Sequence, residues 1–408
     1  MTVERHKGFY LTTADAKASH RGTPTRLWRF SAIVGGCMLS VALPSQAANP
    51  VVSSATMNDG ALSVSGSNFG TKPTAAPVYF QDFSSLEDGM TGRASSAAGL
   101  TWSDDTNYNP NNSQIISSDG VGGKAMTMFS PTSGSRNTDS GFYPHVGINL
   151  PAGGSQGVMM SFWIKFVKLT AGNPTGGGSE YQWKGPRAGV FAGTGRSSNE
   201  NYAANPKLSS QVYVQSDGLW NGTADSYGNR SHLWTDAPNF QSDIYSKLTP
   251  ASFNFYSTWI QRESWLKFND MGQSNGEVKE TINGSMIQNL SNLANRTSDD
   301  QSLDYAQIFP GVTFLQMKDF EVRISRVYID TTQARVFLCN AATLTACTKR
   351  FLLPPVTWTN TSISAAKGAS APAEYKWVFV SNAAGEINSS GFALATGPVP
   401  KAPVVTVQ

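Results

Sequence analysis

An all-β fold made of two sandwiches is what this sequence predicts, on three observations. Charged residues are only 14% of the 408, while Gly (38) and Pro (21) are abundant in a Ser/Thr/Asn-rich background, a composition of short strands joined by turns. No window carries a long apolar pattern of period 3.6, whereas two-residue alternation recurs along the chain. Strand-like phrases of one character stand at both ends, on either side of a long central block. A coiled coil and a highly charged disordered chain are excluded.

Residues 1–47 read as a secretory signal. A basic stretch ending in Arg26-Leu27-Trp28-Arg29-Phe30 precedes an apolar run from Ser31 to Leu43, and Pro44-Ser45-Gln46-Ala47-Ala48 offers small residues for cleavage after Ala47. The run is shorter than the roughly 20 residues that span a bilayer. Val34-Gly35-Gly36-Cys37 offers a lipoprotein-type alternative, but the apolar run continues past it. Taking away the six Lys/Arg and two acids of this segment from the 31 and 28 of the whole chain leaves 25 basic and 26 acidic residues, a net of −1. So neutral a chain has no electrostatic footprint for nucleic acid or an anionic membrane.

The N-terminal phrase is Ala61-Leu62-Ser63-Val64-Ser65-Gly66-Ser67-Asn68-Phe69-Gly70. The C-terminal ones are Val356-Thr357-Trp358-Thr359-Asn360-Thr361-Ser362-Ile363 and Tyr375-Lys376-Trp377-Val378-Phe379-Val380-Ser381-Asn382-Ala383-Ala384-Gly385. Together they resemble the two halves of an IPT/TIG immunoglobulin-like domain. Residues 50–78 and 334–397 make 93 residues, near the roughly 100 of an Ig-like sandwich. The expectation is a discontinuous small Ig-like domain carrying a 79–333 insertion, with 398–408 a Pro-rich tail. Three consecutive small sandwiches is the alternative.

Residues 79–333 open with Val78-Tyr79-Phe80-Gln81-Asp82-Phe83 and close with Phe320-Glu321-Val322-Arg323-Ile324-Ser325-Arg326-Val327-Tyr328-Ile329-Asp330. Between them, Trp265 to Gly284 reads as strand, turn, strand and a Gly-containing turn. This arrangement resembles the concanavalin A-like jelly rolls of lectins, laminin-G-like modules and polysaccharide lyases, especially alginate-lyase-like and heparinase-like ones. Cys339 and Cys347 flank a loop between strand-like runs, and in an exported chain a hairpin disulfide is expected. Two free thiols are the alternative; zinc would need further Cys or His. Reducing the bridge is expected to loosen the small domain and leave the inserted one folded.

Alternation separates polar from aliphatic positions on three strands. Trp163 and Lys165 alternate with Phe162, Ile164 and Phe166; Gln211, Tyr213 and Gln215 alternate with Val212 and Val214; Trp259, Gln261, Glu263, Trp265 and Lys267 share one parity. Glycans need such a face, because pyranose rings stack on aromatics and their hydroxyls bond amides and charged groups. Gln182, Lys184 and Arg187 lie in one short segment, and Trp220, Tyr227, Arg230, His232 and Trp234 in a loop-like stretch over 219–234. A solvated outer sheet face and a loop packed on its own tryptophans are the bland alternatives.

Glu263 has no second acid close by on its strand, since Trp265 and Phe268 stand at i+2 and i+5, so glycosidase chemistry is disfavoured. Residues 48–408 hold only His145 and His232, which disfavours metal-dependent hydrolysis. β-Elimination of a uronate polymer needs a carboxylate-neutralising group, a base for the C5 proton and an acid for the leaving oxygen. Tyr213, Arg187, Gln182, His232 and Lys267 are the candidates for these roles, with Trp163, Lys184, Gln211, Gln215, Gln261, Glu263, Trp220 and Arg230 as substrate contacts. Tyr181-Gln182-Trp183-Lys184-Gly185 and Arg262-Glu263 echo alginate-lyase phrases; no Gln-x-His occurs. Two functions therefore stay open: a secreted lyase acting on an extracellular polysaccharide, and a non-catalytic glycan-binding or adhesive protein. Neither requires a cofactor, and a structural Ca²⁺ is left open.

Overall fold

A computed structural model describes residues 48–58, 61–89, 99–100, 114–129, 146–151, 155–168, 181–184, 187–189, 212–220, 227–235, 246–247, 258–294, 303, 305–309, 311–313, 320–366 and 371–394. The first strands are β1 (Val51–Asn58), β2 (Ala61–Ser67), β3 (Tyr79–Gln81), β4 (Gln114–Ser117), β5 (Ala125–Phe129), β6 (Val146–Asn149), β7 (Gly157–Lys168) and β8 (Tyr181–Lys184). Next come β9 (Arg187–Gly189), β10 (Val212–Trp220), β11 (Tyr227–Thr235), β12 (Ser246–Lys247), β13 (Ile260–Lys267), β14 (Gly276–Ile282), β15 (Ser285–Leu293) and β16 (Tyr305–Phe309). The last are β17 (Gly311–Thr313), β18 (Phe320–Asp330), β19 (Arg335–Cys339), β20 (Arg350–Leu353), β21 (Pro355–Trp358), β22 (Ser362–Ala366), β23 (Trp377–Ser381) and β24 (Phe392–Ala393). The fold is all-β, and no described helix is long and apolar enough to cross a membrane.

The largest sheet runs β15-β14-β13-β7-β18-β5-β4, with β3 added on β18. Two further sheets run β12-β11-β10-β8-β17 and β6-β16-β9. Val158, Met160, Phe162 and Ile164 of β7 and Ile260 and Leu266 of β13 share a core with Ile148, Leu150, Ala306 and Ile308. The large sheet thus packs on the β6-β16-β9 sheet through one parity of its strands, as period-2 alternation requires.

The opposite parity is also buried. All of β13 is buried except Lys267, because a smaller sandwich covers that face. Its sheets are β1-β2-β22-β21 and β20-β19-β23-β24. Residues Ala61 to Ser65 pair with Ser362 to Ala366, so both chain ends supply one sheet. Leu62, Val64 and Phe69 pack with Val336, Leu338, Phe351, Ile363, Val378 and Val380. The strands by which the chain leaves and re-enters this sandwich are neighbours, since β3 pairs with β18 through Gln81↔Val327 and Tyr79↔Ile329.

Cys339 and Cys347 are disulfide-bonded across the loop joining the paired strands β19 and β20. Both are buried, in a cluster with Tyr328, Phe337, Leu352 and Phe379. The two sandwiches meet on polar pegs as well. At a bulge in β18, Arg326 takes φ 47°, unusual for so bulky a residue, and its guanidinium carbon lies 3.6 Å from the Phe351 ring centre. Its Nη2 donates to the Leu352 carbonyl at 2.6 Å, and burial lowers its pKa to about 10. Lys72 Nζ lies 2.6 Å from Asp330 Oδ2, which also accepts the Tyr328 hydroxyl at 3.0 Å. Burial pushes the Asp330 carboxyl up and the Lys72 ammonium down, each against the attraction of its partner.

The β14–β15 turn, Asn283-Gly284, has φ of 47° and 74° at its two residues, the left-handed pair that a two-residue hairpin favours. A Cβ on Gly284 would lie 2.1 Å from the Cys347 carbonyl oxygen. Gly284→Ala is therefore expected to destabilise by at least roughly 1–3 kcal/mol, readable as a lower denaturant midpoint; an unchanged midpoint would show that this turn does not seat on the disulfide loop.

Candidate functional site

The β10–β11 hairpin sets the frame, pairing Val212 with Thr235 through Trp220 with Tyr227 without a register shift. The sequence reads as a loop over 219–234; instead Leu219 and Trp220 end β10 and Tyr227–Thr235 is a strand. The alternation of Arg230, His232 and Trp234 with Asn229, Ser231 and Leu233 is the signal that could have found it.

Directly paired residues share a sheet face, so the register assigns positions without reference to side-chain contacts. Gln215 is opposite His232, and Tyr213 is opposite Trp234. Asp217 is opposite Arg230 on one side and Lys184 on the other, and Leu219 is opposite Gln182. Arg230 is opposite Lys247 of β12. One face of the five-stranded sheet therefore holds the positions of Gln182, Lys184, Tyr213, Gln215, Arg230 and His232, to which the register adds Asp217, Trp234 and Lys247. The other face carries Val212, Val214, Leu233 and Val312, together with Trp183 and Trp220 and the polar Ser216, Asn229 and Ser231. Trp220, expected among the substrate contacts, is thus on the face opposite His232.

Arg187 belongs to another sheet. It pairs with Gln307, while Ala188 pairs with Ala306. Ala306 and Ile308 lie in the core, so positions 187 and 307 fall on the face turned from it. Gln307 was missed because its strand alternates Tyr305, Gln307 and Phe309 with only two aliphatics, too short a pattern to stand out. Gln211 lies outside the described residues.

Four further expected site residues sit on the large sheet, which corrects the single-face arrangement. Trp163, Gln261 and Glu263 are 2%, 1% and 4% exposed, on the face of the large sheet covered by the small sandwich. The Gln261 amide donates to the Arg350 carbonyl at 2.5 Å and its Oε1 accepts the Arg350 N–H at 2.6 Å. Glu263 Oε2 lies 2.5 Å from Arg350 Nη1 and Oε1 lies 3.4 Å from Arg335 Nε. Burial alone would push the Glu263 carboxyl up, but Arg350 and Arg335 outweigh it and hold it below the usual carboxylate range. Lys267, at the rim of that sheet, lies 3.8 Å from Glu277 Oε1. The polar alternation of β13 thus encodes a buried polar interface. Arg262, on the core-facing parity, is fully buried and ion-paired with Glu280. Among the described residues no group of three or more His, Cys, Asp or Glu is arranged to hold a metal.

No family model matches the chain, and no curated protein does. Among solved structures, it is similar to the alginate lyase Aly36B at 11% identity and a TM-score of 0.39, covering 63% of this chain and 98% of that one. The PL-14 alginate lyase from Aplysia kurodai is 12% identical with a TM-score of 0.36, over 62% of this chain and 99% of that one. An endo-beta-1,4-glucuronan lyase from Trichoderma reesei is 13% identical with a TM-score of 0.38, over 63% and 96%.

Proposed function

We propose that the protein is an exported polysaccharide lyase that cleaves a uronate-containing glycan by β-elimination on the polar face of the β12-β11-β10-β8-β17 sheet. The observation that carries this is the register, which gives Tyr213, Gln215 and His232 adjacent positions on the face that also holds Gln182, Lys184 and Arg230. Tyr213 and His232 are diagonal neighbours, roughly 7–8 Å apart between backbones, a span that suits a base and an acid on either side of one sugar ring. In this reading Tyr213 takes the C5 proton, the C4–C5 double bond forms as the C4–O bond breaks, and the leaving oxygen receives a proton from His232 or from Tyr213 itself. Gln215, two positions from Tyr213 and opposite His232, holds the uronate carboxylate, whose neutralisation lowers the cost of charge developing at C5; Gln182, opposite Leu219, is six positions from Tyr213 along the strand, about 20 Å, too far to reach the same ring. A cation nearby favours the phenolate that a tyrosine base requires. The elimination balances without oxidant or added cofactor. In the same proposal, residues 1–47 are the export signal and the small sandwich is of IPT/TIG type.

Incubation with a panel of uronate polysaccharides, followed by absorbance of the unsaturated product, tests the activity. Tyr213→Phe is expected to lower product formation at least about 100-fold while glycan binding persists. Binding without product from the unaltered protein would favour the non-catalytic reading, and full activity in Tyr213→Phe would remove Tyr213 from the chemistry.

A further inference from the structure

Lys72 and Asp330 meet where the chain passes between the two sandwiches. Lys72 stands in the segment joining β2 to β3, by which the chain leaves the small sandwich, and Asp330 is the last residue of β18, by which it returns. Lys72 Nζ lies 2.6 Å from Asp330 Oδ2, and the two side chains are 0% and 4% exposed. Three further hydrogen bonds fix the pair: Nζ donates to the Ala75 carbonyl at 2.7 Å, the Thr331 N–H donates to Asp330 Oδ1 at 2.8 Å, and the Tyr328 hydroxyl donates to Oδ2 at 3.0 Å. Tyr328 itself packs with Phe337, Leu352 and Phe379. One C–O bond beyond Oδ2, Cγ is at most about 3.8 Å from Nζ, close to the roughly 3–3.5 Å of a near-attack pair.

We propose that Lys72 and Asp330 condense into an isopeptide bond that cross-links the two crossings of the chain. Nζ first passes a proton to Oδ2 along their hydrogen bond, leaving an amine and a carboxylic acid. Burial favours both neutral forms, since it pushes the Lys72 ammonium down and the Asp330 carboxyl up. The Nζ lone pair then forms the N–C bond to Cγ, and the charge developing on Oδ1 meets the Thr331 N–H. The Cγ–Oδ2 bond breaks as a second Nζ proton reaches Oδ2, which the Tyr328 hydroxyl stabilises as it departs. One ammonium and one carboxylate thus become one amide and one water, with no oxidant or cofactor. Exclusion of bulk water protects the amide from hydrolysis, and the product removes two buried charges that are costly to keep. It also closes residues 72–330, and with them strands β3 to β18, into a covalent ring.

Peptide mapping of the full chain by mass spectrometry, after unfolding and reduction, is the test. The expected result is one branched peptide joining the Lys72 and Asp330 segments, lighter by one water than the two linear peptides together, with Lys72 closed to an amine-reactive label. Tyr328→Phe, sampled soon after synthesis, is expected to form the link at least about tenfold more slowly. Linear peptides carrying a free Lys72 and a free Asp330 in aged, folded protein would overturn the inference and leave an ordinary buried ion pair. Loss of one water without a branched peptide would place the loss in an aspartyl succinimide and overturn it equally. Linking at the unaltered rate in Tyr328→Phe would overturn the role given to Tyr328.

Discussion

Replacing Glu263 with alanine is expected to cost roughly 3–5 kcal/mol, the range for removing one partner of a buried ion pair. The carboxylate bridges Arg350 and Arg335, and the side chains on both sides of this contact are almost wholly out of water. Without it two guanidiniums stay buried with no counter-charge, and neither can shed its proton at ordinary pH. Chemical denaturation followed by far-UV circular dichroism reads the loss directly. The result also separates an interface role from a catalytic one: a structural Glu263 lowers the midpoint and spares the proposed lyase activity in the protein that remains folded. An unchanged midpoint with lost turnover would return Glu263 to the site.

The same contact sets an acid limb of stability. The folded-state pKa of Glu263 is depressed, so the stabilisation it gives is fully present above the value of an unfolded glutamate, about 4.3, and is lost as pH falls through its lower folded value. Glu263→Gln, which keeps the shape and removes the titration, is expected to flatten that limb while lowering stability at neutral pH. A limb identical in the variant would assign acid sensitivity to other carboxyls.

The architecture was legible in the sequence wherever one face of a strand is apolar. β2 reads correctly because Leu62 and Val64 alternate with exposed serines, and the Cys339–Cys347 bridge because a short loop between two strand phrases leaves few other partners. The site was legible only in part, and for one reason. Alternation says which residues share a face of a strand, never what covers that face. On β10 the polar parity of Tyr213 and Gln215 shares a sheet face with His232 and Lys184; on β13 the equally polar parity of Gln261 and Glu263 is buried against Arg350. The partners that distinguish these cases, Arg335 and Arg350, lie 72 and 87 residues further along the chain from Glu263, beyond the reach of any local pattern. Asp217 and Lys247 escaped notice for the same reason, since only pairing with β8 and β11 aligns them with other charges.

Removing the disulfide with Cys339→Ser and Cys347→Ser is expected to cost roughly 2–3 kcal/mol from loop closure alone, and the loss should not stay within the small sandwich. Sequence alone predicts that reduction loosens that sandwich only. The structure ties the bridged loop to the large sheet twice: the Cys347 carbonyl sits over Gly284 in the β14–β15 turn, and Arg350, three residues further on, holds Gln261 and Glu263 of β13. A loosened loop therefore exposes the buried polar face of the large sheet, where unpaired groups are costly. Amide exchange gives the decisive reading. Protection should fall together in β20, in the Asn283-Gly284 turn and at Gln261, with one unfolding transition rather than two. If the variant instead lost protection in β19 and β20 while the turn and β13 kept theirs, the disulfide would be a local staple that does not carry the contact between the two sandwiches.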